Sequence, residues 1–293
     1  MSETVNDRIK ENAQLKACAA SILDNANNVL GLECKGLPEV GKKFVKLCND
    51  LGIYSEQLPA ALKNLQRLNN QIYINDAGIE GENTIRKLLY KLKVPREILY
   101  NVTLRDPNGM CTEIDAAIIT PSHCFVLEVK RSKSSMIIDE NGIYERLDGS
   151  GIKRDLRISM QNKVYMLRNL LITKQNPSII LNNYIVVPVV VFVGAKGATI
   201  RNDSNLAVVN ETELIPYMTQ YLYDNTCNGY DRNGFGLLFE GLRFVKSIIS
   251  EANCQIEYES DVDCEQLCSS FNKIIANITE NRNFKMNHAK HYL

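Results

Sequence analysis

The chain lacks any apolar run long enough to cross a bilayer; its longest, residues 185–195, contains Pro188 and suits a buried strand instead. Its start lacks the basic stretch and following apolar segment of a secretory leader, so a cytoplasmic protein is expected. The sequons at Asn101, Asn210 and Asn277 then carry no weight. The nine cysteines include no CxxC pair, and they read as reduced, mostly buried thiols. Cys254, Cys264 and Cys268 can be drawn with His288 or His291 as a metal site, but the spacing matches no common zinc pattern. Cys264 and Cys268, four apart, more simply share one face of a helix. Net charge is absent too, with 34 basic and 34 acidic side chains, which argues against nonspecific adhesion to nucleic acid. There is no internal repeat and no low-complexity tract. The aromatics of the middle segment (Tyr90, Tyr100, Phe125, Tyr144 and Tyr165) are too dispersed for a base-stacking platform.

What is present suits an ordinary globular protein. At 293 residues, 45% apolar and 23% charged, the chain can bury a full core in one large domain with additions or in two domains. Its charge is unevenly spread. Residues 78–175 carry 16 basic and 12 acidic side chains, against 9 and 13 in residues 176–293. A basic surface around an acidic metal site suits a phosphate-backbone substrate, and a solvated charged face gives the same count.

Apolar spacings of three and four predict two to four helices over about residues 5–70, punctuated by Gly31, Gly36-Leu37-Pro38 and Gly52. The middle opens with Gly78-Ile79-Glu80-Gly81-Glu82 and an amphipathic helix through Ile85, Leu88, Leu89 and Leu92 that Pro95 ends. Strands are expected near residues 98–104, 113–119 and 124–130, then a hairpin or loop over 139–151. A helix follows over residues 156–173, then a strand over 184–193, where Pro188 hints at an edge or bulge. A short strand at 206–209 leads to a helix that Asn210 can cap, and further helices are expected near 236–250 and 263–279. Helix, three strands, helix, strand predicts an α/β sandwich with a mixed central sheet and helical additions at both ends. The expected boundaries are 1–77 for a helical N-terminal region, 78–225 for the α/β domain and 226–293 for a helical C-terminal region.

The most informative stretch is Thr112-Glu113-Ile114-Asp115, followed by Glu128-Val129-Lys130. Thr120-Pro121-Ser122-His123 joins the two strands like a hairpin turn. Alternation puts Glu113, Asp115 and Ala117 on one face, and makes Glu128 and Lys130 emerge together. Three acids and a lysine are thus expected to converge on strands apolar enough to be buried. Charge there is costly unless something pairs it, and a divalent cation would.

Gly78-x-x-Gly81-Glu82, Thr112-Glu113-Ile114-Asp115, Phe125-Val126-Leu127-Glu128-Val129-Lys130 and Gln161 on a helix together resemble the nuclease-related (NERD) domain of the PD-(D/E)XK nuclease superfamily. The resemblance covers residues 78–225 and implies a PD-(D/E)XK nuclease-like fold. It makes Asp115 the central ligand of Mg²⁺ or Mn²⁺, with Glu128 second and the Val129 carbonyl assisting. Lys130 would orient or help deprotonate the attacking water and counter charge on the phosphate. Glu82, placed in the first turn of its helix, resembles an acid that some superfamily members add; an i, i+4 pair with Arg86 is the competing reading. Gln161 and Tyr165 share a helical face, of which Gln161 is expected near the site and Tyr165 at the site or in the core. Glu113 departs from the family's usual glutamine, as an extra ligand or as a like charge that raises a neighbour's pKa. Arg131, Lys133, Lys153, Arg154 and Arg157 are candidates for phosphate contacts or a solvated face. His123 is a general base or, more simply, an exposed turn histidine.

The resemblance implies a metal-dependent DNA endonuclease, with host defence, restriction or repair as settings. RNA as substrate, or a catalytically silent binding or scaffold protein on the same fold, are the alternatives. No membrane contact is expected. The helical regions at either end are candidates for self-association or for binding a protein partner.

Overall fold

A computed structural model describes all residues except 1–2, 53–55, 57, 174–183, 226–234, 255–261 and 291–293, and leaves out the side chains of 3–7, 235–240 and 284–290. The chain divides into two compact units, residues 78–257 and residues 3–77 with 258–293. The division falls inside one helix, α3 (Leu58–Leu89). Among the described residues, no helix is long and apolar enough to cross a membrane.

The 78–257 unit is mixed α/β. Its main sheet contains β1 (Glu97–Arg105), β2 (Cys111–Ile119), β3 (His123–Arg131), β7 (Ile185–Val193) and β9 (Val208–Asn210), in that order. β1, β2 and β3 pair antiparallel, whereas β3–β7 and β7–β9 are parallel. The strands are rich in valine and isoleucine because the sheet is covered on both faces. One face packs Cys124, Val126, Val190 and Phe192 against α4 (Leu156–Thr173) and α6 (Phe235–Ala252). The other packs Ile118, Phe125, Leu127 and Val189 against the end of α3 and α5 (Leu214–Asn225). Asn210 caps α5, its Oδ1 accepting from the amides of Thr212 and Glu213, while Glu213 returns a bond to the Asn210 amide. A small second sheet orders β6 (Lys153–Asp155), β5 (Ile143–Arg146), β4 (Met136–Ile138) and β8 (Ile200–Asn202).

The other unit is helical. α1 (Glu3–Leu30), α2 (Leu37–Leu51), the first part of α3 and α7 (Cys264–Lys290) close around one core. Leu15, Cys18, Ile22, Ala26 and Leu30 form the buried stripe of α1, and Phe44 meets Phe271 edge-on with ring centroids 5.5 Å apart.

Several expectations are corrected. The helix expected to open at Gly78 is continuous back to Leu58, so Glu82 lies in its interior and not in a first turn. Two glycines in a helix are each unfavourable by about 1 kcal/mol, and at Gly81 a Cβ would meet Val129 Cγ1 at 3.3 Å, a tighter contact than usual. α3 ends at Leu89, well before Pro95, and Arg96 caps it by donating to the carbonyls of Leu89, Tyr90, Leu92 and Val94. Pro188 lies on an interior strand, but β9 pairs only with residues 190–192, so at Pro188 only β3 flanks β7 and no ladder amide is lost on the other side. Segment 139–151, by contrast, is the hairpin expected, its turn at Asp139–Gly142 joining β4 antiparallel to β5. The residues after 225 do not form one region: α6 belongs to the α/β unit and α7 to the helical one.

Candidate active site

The β2–β3 ladder runs from Ile119↔Cys124 to Ala116↔Leu127 and stops there. One step further Asp115 and Glu128 would face each other, and the strands part at that step. The Val129 amide, beyond the last ladder pair with β2, donates to the Asp115 side chain, reaching Oδ2 at 2.5 Å. Simple alternation also breaks here, because Ile114 is buried in the same cluster as Ala117 and Ile119. On β1, Asn101 falls at the gap in the ladder between Tyr100↔Ala116 and Val102↔Ile114, with φ at +51°, and its neighbours Tyr100 and Val102 bury into opposite faces. Asn101 reaches Glu82, donating to Oε2 at 3.0 Å.

Glu128 is buried and held by two ammonium groups. Lys130 pairs with Oε1, and Lys163 approaches Oε2 at 2.5 Å. Lys163 is itself buried and also donates to the Glu113 carbonyl oxygen. Burial alone would push the Glu128 carboxyl up, but Lys130 and Lys163 outweigh it and hold the group below its usual value. Asp115 behaves oppositely. Burial first, then the negative charge of Glu128, push it up to about 7, against the opposing pull of Lys163, the Val129 amide and Lys130. Two close carboxylates in one buried place resist ionising together.

Two carboxylates already opposed by two ammonium groups are the arrangement against which a cation can be tested. Asp115 and Glu128 are hard oxygen donors, and Mg²⁺ binds through one or two carboxylates while keeping water in its remaining positions. The pair therefore fits Mg²⁺ or Mn²⁺. Among the described residues no three acidic, histidine or cysteine side chains gather closely enough to hold an ion, so the expected convergence of three acids does not occur. Glu113 contributes its main-chain carbonyl to Lys163, and Glu82 is engaged by Asn101.

Among the described residues, the other sequence-predicted positions make no hydrogen bond or ion pair with Asp115 or Glu128. Gln161 is exposed and lines a groove with Arg157, Arg168 and Pro188, and Tyr165 is exposed as well. The reason is helical register: α4 turns Leu156, Met160, Lys163, Leu167 and Leu171 inward, and Gln161 lies about 200° from Lys163. Arg131 pairs with Glu80 at 2.6 Å and Lys153 with Glu145 at 2.7 Å, while Lys133, Arg154 and Arg157 are exposed. His123 is buried, not exposed, with Ser122 Oγ 2.7 Å from its Nδ1 and Tyr221 edge-on to its ring. Burial lowers its pKa. It sits at the other end of β3 from Glu128. Cys254 donates to the Thr103 carbonyl at 3.5 Å, and Cys227, His291 and the His288 side chain lie outside the described residues.

Lys163 is the residue that sequence reasoning missed. A lysine inside the inner stripe of an amphipathic helix was the signal available, since a charge on an apolar face needs a partner.

No protein of curated function matches the chain. Among solved structures, a crystal structure of a protein of unknown function, AF1548, is similar at 12% identity over 69% of this chain and 99% of that one. Its TM-score is 0.27, too low to carry an argument. The family described as nuclease-related domain, NERD, matches residues 77–193, which include β1, β2, β3, α4 and β7 and with them Asp115, Glu128, Lys130 and Lys163. Residues 77–193 are therefore a nuclease-related domain.

Proposed function

We propose that the chain hydrolyses phosphodiester bonds with Mg²⁺ or Mn²⁺ and that its substrate is DNA, cleaved internally. The observation that carries this reading is that Asp115 and Glu128 act on each other as buried charges just beyond the end of the β2–β3 ladder, with Lys130 on the Glu128 carboxylate. Asp115, Glu128 and the Val129 carbonyl would hold the cation. When bound, it would polarise the scissile phosphate and lower the pKa of a water. The Val129 amide orients Asp115 for that task, and Lys130 and Lys163 together keep Glu128 ionised. Lys130, 31% exposed and so nearer solvent than Lys163, would orient the attacking water and offset charge developing on the phosphate. Exposed Lys133, Arg154 and Arg157, on the same α/β unit, would contribute phosphate contacts. Defence against foreign DNA, or repair, is the setting this chemistry suits.

Supercoiled plasmid incubated with Mg²⁺ or Mn²⁺ tests the reading. Nicking is expected from the wild type, with Asp115→Ala and Lys130→Ala at background and both variants folded. Wild type that neither nicks the plasmid nor is stabilised by the cation would overturn it. Cleavage of RNA alone would reassign the substrate.

A further inference from the structure

In the helical unit, Cys18 on α1 and Cys268 on α7 meet with their sulfurs 3.1 Å apart across 250 residues of sequence. Cys18 also approaches the Cys264 carbonyl at 3.7 Å. The two helices are held in register by Asn25 donating to Asn272 at 3.0 Å and by Arg282 donating to the Leu30 carbonyl at 3.2 Å. A cavity of about 800 Å³ opens beside the thiols, lined by all three cysteines with Gln14, Glu265 and Lys273. Cys18 is buried, whereas Cys264 and Cys268 are partly exposed to that cavity.

We propose that Cys18 and Cys268 are a disulfide-forming pair, oxidised through this cavity by a small-molecule disulfide. A disulfide needs about 2.05 Å between sulfurs, so the pair must close by roughly 1 Å, within reach of side-chain rotation at fixed helices. Cys268 attacks first, as its thiolate, because it faces the cavity while burial pushes the Cys18 thiol strongly up. Its sulfur bonds to one sulfur of the reagent, and the other leaves as a thiol. Cys18 then attacks the Cys268 sulfur, releasing the second thiol and closing the protein disulfide. Two protein thiols are oxidised and one reagent disulfide is reduced to two thiols. The bond staples the first and last helices of the unit and constrains nearly the whole chain when unfolded. It is independent of the chemistry proposed at Asp115 and Glu128.

Reduced full-length protein equilibrated with glutathione disulfide, alkylated and mapped by mass decides the matter. The expected product has lost two hydrogens, links the peptides carrying Cys18 and Cys268, reverts with dithiothreitol and melts several degrees higher than the reduced form. Cys264→Ser is expected to give the same link, and Cys18→Ser to stop at a glutathione adduct on Cys268. A link through Cys264, a lasting adduct on wild-type Cys268, an unchanged melting temperature or no reaction would each overturn the proposal. The wild-type map is decisive even where a serine variant fails to fold.

Discussion

Asp115 and Glu128 respond to pH in opposite senses. For Asp115 the folded value, about 7, stands above the ordinary 3.8. Its favourable contribution is complete below the ordinary value, where both states hold the proton, and is lost as pH rises through 7. Glu128, held low by its lysines, favours the fold above the usual carboxylate range and loses that contribution as pH falls through its depressed value. Between about pH 4.5, the ordinary value of Glu128, and about pH 7 Asp115 therefore dominates. Asp115→Asn should gain on the wild type in urea midpoint across that window, and Mg²⁺ should stabilise wild type alone at the upper end. A difference between the two proteins that does not change with pH would refute the raised value. Lys163 offers a second test at this scale. It and Glu128 are 6% and 8% exposed, so Lys163→Met leaves a buried carboxylate with Lys130 as its remaining ammonium partner. Loss of a partner from a buried pair costs about 3–5 kcal/mol. Adding Glu128→Gln to Lys163→Met should restore part of the lost stability in urea titrations, which an effect of packing alone would not.

Elements place these residues more than the residues place themselves. α3 crosses β3 closely because Gly81 has no side chain, and the strand it presses on carries the Val129 amide that holds Asp115. Gly81→Val should lower stability by about 1–3 kcal/mol by overpacking, and it should weaken Mn²⁺ binding, measured by calorimetry, more than a surface valine would. Unchanged Mn²⁺ affinity would show that the contact does not position Asp115. Much at this scale was legible beforehand. The 3.6-residue period places α4 at residues 156–173, as observed, and strand patterning with a continuous apolar run locates β1, β2, β3 and β7 to within two residues. The period did not reveal that alternation breaks at Asp115 and Asn101, because a switch of face needs only one unusual backbone conformation and leaves hydrophobic composition unchanged. Gln161 was misplaced for a related reason. A motif match fixes a residue's position in sequence, but the face it takes follows from which stripe of α4 the sheet buries.

In the whole molecule, the cores are separate within each unit. Leu15, Phe44, Leu65 and Phe271 belong to the helical core, and none of them shares a cluster with the sheet residues. Two units without a shared core cluster predict two unfolding transitions in calorimetry rather than one. Mn²⁺ or Asp115→Asn should move only the transition of the α/β unit, and oxidation at Cys18 and Cys268 only that of the helical unit. A single transition shifted by all three would mean that the units unfold as one. Sequence alone determined the class of fold, the order of most elements and the positions of Asp115, Glu128 and Lys130, because periodicity and spacing are local properties. Tertiary structure alone decided that α7 joins α1, that Cys18 meets Cys268, and that Lys163 shares Glu128 with Lys130. Those pairings span 250, 35 and 2 residues. The longer two follow from which buried faces meet when the chain closes, a choice that no local pattern encodes.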